Sequence, residues 1–295
     1  MRFGICILPD LTWRESRPRW QRAEEMGFDH AWTYDHLVWG GLPDSRWFSC
    51  IPTLTAAATV TRHIDLGAFV VSPNFRHPVA FSREVATLVD ISDGRFLLGL
   101  GAGGTPDDTV LGGDRLPPKQ RVDRLQEFTL LLDRTLRDDH VDADGQYYRA
   151  RDMRLVGEPV RPRVPFLLAG NGPRSVRFAA RHGDGWITTG TPSETVDDWF
   201  DGIRASCDVL TETLGKDGIT EEFPRYLSLD ASPRNALESI DLFDEMVGRA
   251  SSLGFTDVIV HWPRSSEPYL APDHVLDEVA ARLQPGRTGA VDVTD

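Results

Sequence analysis

Apolar and polar positions follow two alternating patterns along almost the whole chain. Short apolar runs rich in β-branched residues predict strands, and the longer stretches between them, apolar at about every third or fourth position, predict amphipathic helices. The predicted strands are 2–8, 30–34, 65–71, 96–101, 166–169, 186–189, 225–230 and 257–262. The predicted helices are 17–26, 52–62, 78–91, 121–137, 174–182, 195–214, 233–253 and 272–283. This succession of strand–helix units favours a (β/α)8 TIM barrel over an open sheet.

Two stretches interrupt the alternation. Residues 138–165 contain a polar turn sequence that ends at Gly145, which predicts a short hairpin excursion before the fifth barrel strand. Residues 286–295 are polar and have no periodicity, which predicts a flexible C-terminal tail. No internal repeat or low-complexity linker divides the rest, so a single domain is predicted over residues 1–285.

The composition is typical of a globular protein, with 295 residues, 40% hydrophobic and 26% charged. No apolar stretch approaches the roughly 18 residues that span a bilayer, and the first residues lack a signal-peptide pattern. The net charge of −13 disfavours binding to nucleic-acid phosphates. The scattered Cys6, Cys50 and Cys207 argue against a disulfide framework or a cysteine-based zinc site. We therefore expect a cytoplasmic protein that acts on a small molecule, without nucleic-acid or membrane partners.

In a barrel of this type, the C-terminal ends of the strands carry the active site. Asp35 and His36 follow the second predicted strand, where an imidazole can exchange a proton near neutral pH and a carboxylate can orient it. The alternative is a helix-capping aspartate beside an incidental histidine. No His-Glu-x-x-His spacing accompanies the pair, so no metal is expected. Trp39 and Trp47, in the following loop, could wall a planar ring, although packing is the commoner use of tryptophan.

A glycine-rich turn at 99–104 formally matches the dinucleotide-binding pattern G-x-G-x-x-G. That fingerprint belongs to the first strand–helix turn and opens a helix at once. Here other strands precede it, and residues 105–120, which include several glycines and prolines, follow it. The turn is better explained as a loop that lines a ligand, or simply as a tight turn.

A second small-residue turn leads directly from the fifth predicted barrel strand into a helix. Gly170, Asn171 and Gly172 let backbone N–H groups face an anion at the positive end of the helix, and Arg174 can assist. Thr189 offers a hydroxyl at the neighbouring strand end. The two turns together fit a phosphate cradle, and two ordinary turns remain the alternative.

Several short motifs of the sequence are similar to those of a known family. They are RWQRAEEMGF (19–28), WTYDH (32–36), LGAFVVSP (66–73), RHP (76–78), SDGRF (92–96), GLGAG (99–103) and HGDGW (182–186). In order and spacing they resemble the luciferase-like monooxygenase superfamily, especially its branch of oxidoreductases that depend on the deazaflavin coenzyme F420. The resemblance extends over about residues 1–285.

The resemblance implies a TIM barrel that holds a flavin-type ring at the C-terminal face of its strands. His36 would approach that ring as the catalytic residue, and Asp35 would support His36. Superfamily members often carry a non-proline cis peptide at the third strand end, which here would join Phe69 and Val70 behind the ring. The implied cofactor contacts are Phe69, Val70, Gly101, Gly103, Gly170, Asn171, Gly172, Thr189, Arg174 and Arg76. Within that set, the segment 170–172 and Thr189 would hold the phosphate, and the two arginines would hold the anionic coenzyme tail.

One position departs from the resemblance. In the deazaflavin-dependent sugar-phosphate dehydrogenases of the superfamily, a glutamate that serves as an acid follows the fourth-strand glycines, and the matching residue here is Gly104. This argues against a sugar-phosphate substrate. It also leaves the proton donor open, with His36 as the first candidate and Asp107 or Asp108 as more distant ones.

Three functions are compatible with these residues. The favoured one is hydride transfer between F420 and a small organic substrate. An FMN-dependent two-component monooxygenase is the alternative, because the shared motifs do not separate the two cofactors. A non-catalytic barrel that binds a flavin is the third, although the intact glycine turns and His36 count against it. The resemblance also implies a homodimer, while the loops that would select the substrate carry no pattern that identifies it.

Overall fold

Eight parallel strands close into a barrel in the computed structural model, which describes residues 1–113, 115–155, 164–219 and 222–284. The barrel strands are β1 (Arg2–Cys6), β2 (His30–Thr33), β3 (Asp65–Val71), β4 (Phe96–Leu100), β7 (Phe166–Ala169), β8 (Gly185–Thr188), β9 (Arg225–Ser228) and β10 (Asp257–His261). They pair in this order, and β10 pairs with β1 to close the barrel. The predicted (β/α)8 barrel is confirmed.

Helices surround the barrel strands. They are α1 (Trp13–Glu25), α2 (Cys50–Ala58), α3 (Pro78–Ile91), α4 (Thr105–Val110), α5 (Pro118–Arg137), α6 (Pro173–His182), α7 (Val196–Lys216), α8 (Ile240–Ser252) and α9 (Asp273–Leu283). The predicted helix at 233–253 is interrupted. Its first part is a 3-10 turn over Ala236–Glu238, and α8 begins only after Ser239. The backbone of Ser239 is extended, and its hydroxyl caps the helix by accepting a hydrogen bond from the N–H of Leu242 at 3.2 Å. The short helix α4 was not predicted at all.

The predicted hairpin is confirmed as an antiparallel pair outside the barrel, formed by β5 (Val141–Asp144) and β6 (Arg149–Met153). Glu127 of α5 ties it down, since its carboxylate accepts hydrogen bonds from three consecutive N–H groups of the turn. The predicted flexible tail, 286–295, lies outside the described residues. In the ranges that are described, no helix combines the length and apolarity that a membrane crossing requires.

Alternating strand residues divide the core into two layers, one between the strands and the helices and one inside the barrel. The interior layer is rich in aromatic residues, and Trp32 on β2 is fully buried there. Gly67 on the neighbouring β3 makes room for it, because a Cβ at that position would lie 2.0 Å from the indole ring. This packing fills the middle of the barrel and leaves the ligand space at one end.

The opposite, N-terminal end of the barrel holds a buried polar pair. Nε2 of His30 on β2 lies 2.9 Å from a carboxylate oxygen of Asp257 on β10, and both side chains are almost fully buried. The indole N–H of Trp32 donates to Nδ1 of His30 at 2.6 Å. The pair links strands on either side of β1 and lies away from the ligand space, so its role is structural.

Candidate active site

A cavity of about 380 Å³ opens at the C-terminal ends of β2, β3, β4, β7 and β8. This volume lies in the usual range for small-molecule sites, roughly 300–1,000 Å³. The lining residues are Tyr34, His36, Trp39, Phe69, Val70, Ser72, Gly101, Ala102, Gly103, Gly104, Ala169, Gly170, Asn171, Ser175, Ile187, Thr188 and Thr189. One side is therefore largely apolar, and the side next to α6 carries amide and hydroxyl groups.

His36 lies at this cavity, held by a partner distant in sequence. Its Nδ1 lies 2.8 Å from Oδ2 of Asp107 on α4, while Oδ1 of Asp107 accepts the N–H of Leu37 at 2.8 Å and of Val38 at 3.2 Å. Burial raises the pKa of Asp107, but the hydrogen bond and charge of His36 and the two N–H donors outweigh it, so the pKa lies below its ordinary value. An ionised Asp107 thus fixes the imidazole and leaves Nε2 as the nitrogen available to a ligand.

Asp35 does not support His36 as expected. Its carboxylate pairs with Arg76 at 2.9 Å and accepts the N–H of Ser72 at 3.4 Å. Burial raises the pKa of Asp35 to about 6, although Arg76 and the Ser72 N–H oppose the rise. The side chain points away from the cavity because adjacent residues at a strand end face opposite ways. The orienting group for His36 is Asp107, which the sequence pattern placed only among the distant proton donors.

The expected cis peptide between Phe69 and Val70 is present at the end of β3. Beside it, the β4 turn presents backbone without side chains. A Cβ on Gly101 would lie 2.4 Å from Cγ2 of Val70, and Gly103, at φ +73°, would place a Cβ on the side chain of Asn74. These four residues line one wall of the cavity, and they are among the residues that the resemblance assigns to a planar ring.

Polar groups cluster at the α6 end of the cavity. Oδ1 of Asn171 accepts a hydrogen bond from Oγ1 of Thr188 at 2.8 Å, and its Nδ2 donates to Oγ1 of Thr189 at 2.9 Å. Gly170 lies against Ser175 so closely that a Cβ there would come within 2.6 Å of it. Gly172 is the N-cap of α6 and does not itself line the cavity. The residues predicted to form a phosphate cradle therefore lie together at this end of the cavity, except for Gly172.

The two arginines that were predicted to hold the coenzyme tail do not line the cavity. The Arg174 guanidinium is bonded to Asp123 and to Gln126 on α5. Arg76 is paired with Asp35 and lies over the ring of Phe81, outside the cavity. Both guanidinium groups therefore make hydrogen bonds to other side chains of the protein. Neither is free at the cavity in this structure to bind a coenzyme tail.

The sequence pattern missed a hydrogen-bonded row that reaches the cavity from β9 and β10. Nδ1 of His261 lies 3.2 Å from Oδ2 of Asp230, and its Nε2 lies 2.8 Å from the hydroxyl of Tyr34. That hydroxyl lies 2.7 Å from the hydroxyl of Tyr269. Tyr34, Asp230 and His261 lie at or just after the ends of three separate strands, and nothing in the sequence spacing joins them.

An aromatic cluster flanks the mouth of the cavity on that side. Trp39 stacks on Tyr269 with ring centroids 5.9 Å apart, and Trp47 packs against Trp39 at 5.7 Å. Trp39 lines the cavity as predicted, whereas Trp47 supports it from behind. Gly104 lines the cavity too, with its carbonyl accepting a hydrogen bond from Nδ2 of Asn74 at 2.9 Å, and it brings no acidic side chain.

The sequence of this chain is similar to those of several known proteins. The model of the luciferase-like monooxygenase family matches residues 1–209. The F420-dependent glucose-6-phosphate dehydrogenase of Amycolatopsis mediterranei is 30% identical over 288 residues, which cover 90% of this chain and 82% of that protein. The F420-dependent hydroxymycolic acid dehydrogenase of Mycobacterium tuberculosis is 33% identical over 171 residues, which cover 57% of this chain and 46% of that protein.

A solved structure shares the whole fold at low sequence identity. An F420-dependent secondary alcohol dehydrogenase superposes with a TM-score of 0.81 at 15% identity, covering 96% of this chain and 98% of that one. An identity this low shows the common barrel alone. The family match over more than half of the chain carries further: this chain belongs to the luciferase-like monooxygenase family.

Proposed function

We propose that this protein is an F420-dependent oxidoreductase that moves a hydride between the deazaflavin and a small organic substrate. One observation carries the proposal. The same cavity contains His36, which Asp107 holds, and the wall made by Phe69–Val70, Gly101 and Gly103. The similarity to F420-dependent dehydrogenases along most of the chain supports F420 as the cofactor.

The residues present fit such a cofactor. A planar ring needs an apolar face without protruding side chains, and Gly101 and Gly103 supply one where any Cβ would collide with Val70 or Asn74. A phosphate needs hydrogen-bond donors near a helix N-terminus, and Asn171, Thr189 and the first turn of α6 provide them. We assign these residues to the ring and the phosphate respectively.

When bound, the deazaflavin supplies a carrier of two electrons and one proton in the form of hydride. The chain then has to position the substrate, exclude water and exchange the accompanying proton. His36 serves the last task beside the ring, because Asp107 holds Nδ1 and leaves Nε2 to carry or receive a proton. The aromatic mouth formed by Trp39, Trp47 and Tyr269 restricts water.

The substrate we propose is uncharged, with a hydroxyl or carbonyl group. None of the described residues that line the cavity is lysine or arginine, and the polar groups beside α6 are already assigned to the phosphate of the cofactor, so these residues leave no group for a second phosphate. Gly104 also stands where the sugar-phosphate dehydrogenases carry an acid. The proposed substrate class therefore differs from the glucose-6-phosphate in the name of the relative from Amycolatopsis mediterranei.

A titration of the purified protein with F420 and with FMN, each oxidised and reduced, tests the cofactor by fluorescence. Micromolar F420 binding with much weaker FMN binding is the expected result. Preference for reduced FMN would instead favour a two-component monooxygenase. Binding of neither would favour a barrel without this chemistry and overturn the proposal.

We also infer a homodimer, which the resemblance implies, and a cytoplasmic location, which the charge and the few scattered cysteines favour. The groove between α2 and α3, lined by Ile51 and Phe81 among others, leaves apolar surface beside the exposed Leu37. Light scattering on the purified protein measures its mass. A mass near 65.8 kDa, twice the 32.9 kDa of one chain, supports the dimer, and a mass near that of one chain contradicts it.

A further inference from the structure

The pair formed by Asp230 and His261 is the most completely buried acid–base pair near the cavity. The exposed fractions of the two side chains are 0% and 1%. Both oxygens of Asp230 are engaged, since Oδ1 accepts the N–H of Ala236 at 2.9 Å and Oδ2 accepts the N–H of His261. A buried carboxylate placed beside Nδ1 of the imidazole fixes the proton on Nδ1, so that Nε2 becomes a hydrogen-bond acceptor.

The Tyr34 hydroxyl is the group that faces this acceptor. A phenol carries one proton, so Tyr34 donates it to Nε2 of His261 and accepts a hydrogen bond from Tyr269 on its oxygen. Burial raises the pKa of Tyr34 well above its ordinary value, with Tyr269 adding to the rise. Tyr34 also lines the cavity, next to His36 at a centroid separation of 6.0 Å. The row therefore runs from a buried carboxylate to a protonated phenol at the ligand space.

We propose that Tyr34 exchanges a proton with the oxygen of the substrate, and that His261 and Asp230 position Tyr34 and store that proton. The proposal rests on the proposed function and gives the two proton-exchanging groups separate tasks, His36 beside the cofactor and Tyr34 beside the substrate. It also supplies an acid–base group at a site where the residue matching the family glutamate is Gly104.

Oxidation of an alcohol breaks two bonds of the substrate. The carbinol C–H bond breaks and its electron pair leaves as hydride to the deazaflavin that the proposed function supplies. The hydroxyl O–H bond breaks, and its proton passes to the Tyr34 oxygen while the Tyr34 proton passes to Nε2 of His261. The carbonyl double bond forms, and Asp230 stabilises the resulting imidazolium. Reduction of a ketone reverses each transfer.

Variants separate the steps of this row. Tyr34→Phe removes the phenol, and His261→Gln can still accept a hydrogen bond from Tyr34 but cannot take up its proton. Tyr226→Phe is the matched control, because Tyr226 is a buried tyrosine of the barrel interior that does not line the cavity. Circular dichroism and F420 affinity establish that each variant is folded and loaded.

The first measurement needs no cofactor. In protein labelled with nitrogen-15 in histidine, the Nε2 resonance of His261 at pH 7 is expected to move downfield in Tyr34→Phe, since the donor is lost, and to stay in place in Tyr226→Phe. An unchanged resonance in Tyr34→Phe overturns the row. This outcome is independent of whether the protein binds F420.

The second measurement uses the F420 complex with cyclohexanol as the probe. Oxidation of cyclohexanol should fall about 100-fold in both Tyr34→Phe and His261→Gln, the scale of a positioned acid or base, with KM nearly unchanged. If His261 only held Tyr34 in place, His261→Gln, which still accepts the Tyr34 hydrogen bond, would keep a rate near that of wild type, and that result overturns the proton relay.

Failure of the two proposals can be told apart. If F420 does not bind, the proposed function fails and the substrate role of Tyr34 fails with it, whatever the nitrogen resonance shows. If F420 binds but Tyr34→Phe oxidises cyclohexanol as fast as wild type, or wild type does not oxidise it, the role of Tyr34 is overturned while the cofactor assignment stands.

Discussion

At the scale of single residues, the sequence pattern identified His36 but not the residue that holds it. Asp35 was the expected partner because it is adjacent in the chain, whereas the carboxylate that contacts Nδ1 belongs to Asp107, 71 positions away. Sequence spacing reports contacts within one element, and a contact between two strand ends depends on the closure of the barrel. For the same reason the row from Asp230 to Tyr34 was not predictable.

Replacing His36 tests its role directly. His36→Ala is expected to lower turnover roughly 100-fold while F420 affinity stays within about tenfold, since an acid–base group acts on the reaction more than on binding. Stopped-flow absorbance of F420 and a fluorescence titration measure the two quantities. His63→Ala, at an exposed histidine away from the cavity, is the control. Unchanged turnover in His36→Ala removes this residue from the mechanism.

Asp35 is expected to make stability depend on pH. Its pKa of about 6 in the folded protein lies above the ordinary 3.8, so the folded state binds more protons than the unfolded state between these values. The free energy of unfolding should therefore fall as pH rises from 4 to 6. At about 1.4 kcal/mol per pKa unit, the loss is on the order of 2–3 kcal/mol.

Urea unfolding at pH 4, 5, 6 and 7 measures this slope. Asp35→Asn should lack that contribution, whatever constant offset the unpaired Arg76 adds, and the exposed-site control Asp90→Asn should keep it. Parallel slopes for wild type and Asp35→Asn would show that Asp35 stays ionised throughout.

At the scale of elements, periodicity found every barrel strand and the hairpin but missed α4. Residues 105–120 are rich in glycine and proline, which indicates a loop, and the helix over Thr105–Val110 is only 6 residues long. It begins with a proline in its first turn, where the missing N–H costs nothing. So short a segment has no repeating apolar face to detect, yet it carries Asp107 to His36.

The hydrogen bonds of Glu127 join α5 to the hairpin, and a substitution tests how much they stabilise it. Glu127 accepts the N–H groups of Gln146, Tyr147 and Tyr148 at 3.0, 2.9 and 2.7 Å. Glu127→Ala leaves these donors without their acceptor and should cost about 1–3 kcal/mol of stability. Glu127→Gln keeps one accepting oxygen and should cost less.

Hydrogen exchange followed by mass spectrometry locates the effect of Glu127→Ala. Faster exchange is expected in peptides covering Val141–Asp144 and Arg149–Met153, with unchanged protection in the barrel strands and unchanged F420 affinity. Equal exchange in the hairpin peptides of Glu127→Ala and wild type would mean that other contacts hold the hairpin.

At the scale of the whole molecule, the barrel separates two sets of polar groups between its ends. His36, Tyr34 and Asn171 lie at the C-terminal end, where the cavity is. The pair of His30 and Asp257 lies at the N-terminal end and links β2 with β10. The general rule for this fold places activity at the first end and stability at the second, and the strand pattern alone was enough to apply it.

This separation predicts opposite effects for two single substitutions. In the wild-type protein, Nε2 of His30 and the hydroxyl of Thr256 lie 2.9 and 2.6 Å from the Asp257 carboxylate. Asp257→Ala removes the acceptor of both groups. The free energy of unfolding should fall by about 3 kcal/mol, with F420 affinity unchanged within about threefold. Asn171→Ala should weaken F420 binding about tenfold, the worth of roughly 1.4 kcal/mol, and barely change stability. Urea unfolding and fluorescence titration of both variants give the four values. Loss of F420 affinity in a folded Asp257→Ala protein would show that the two ends are coupled through the barrel interior, where the aromatic layer around Trp32 lies between them.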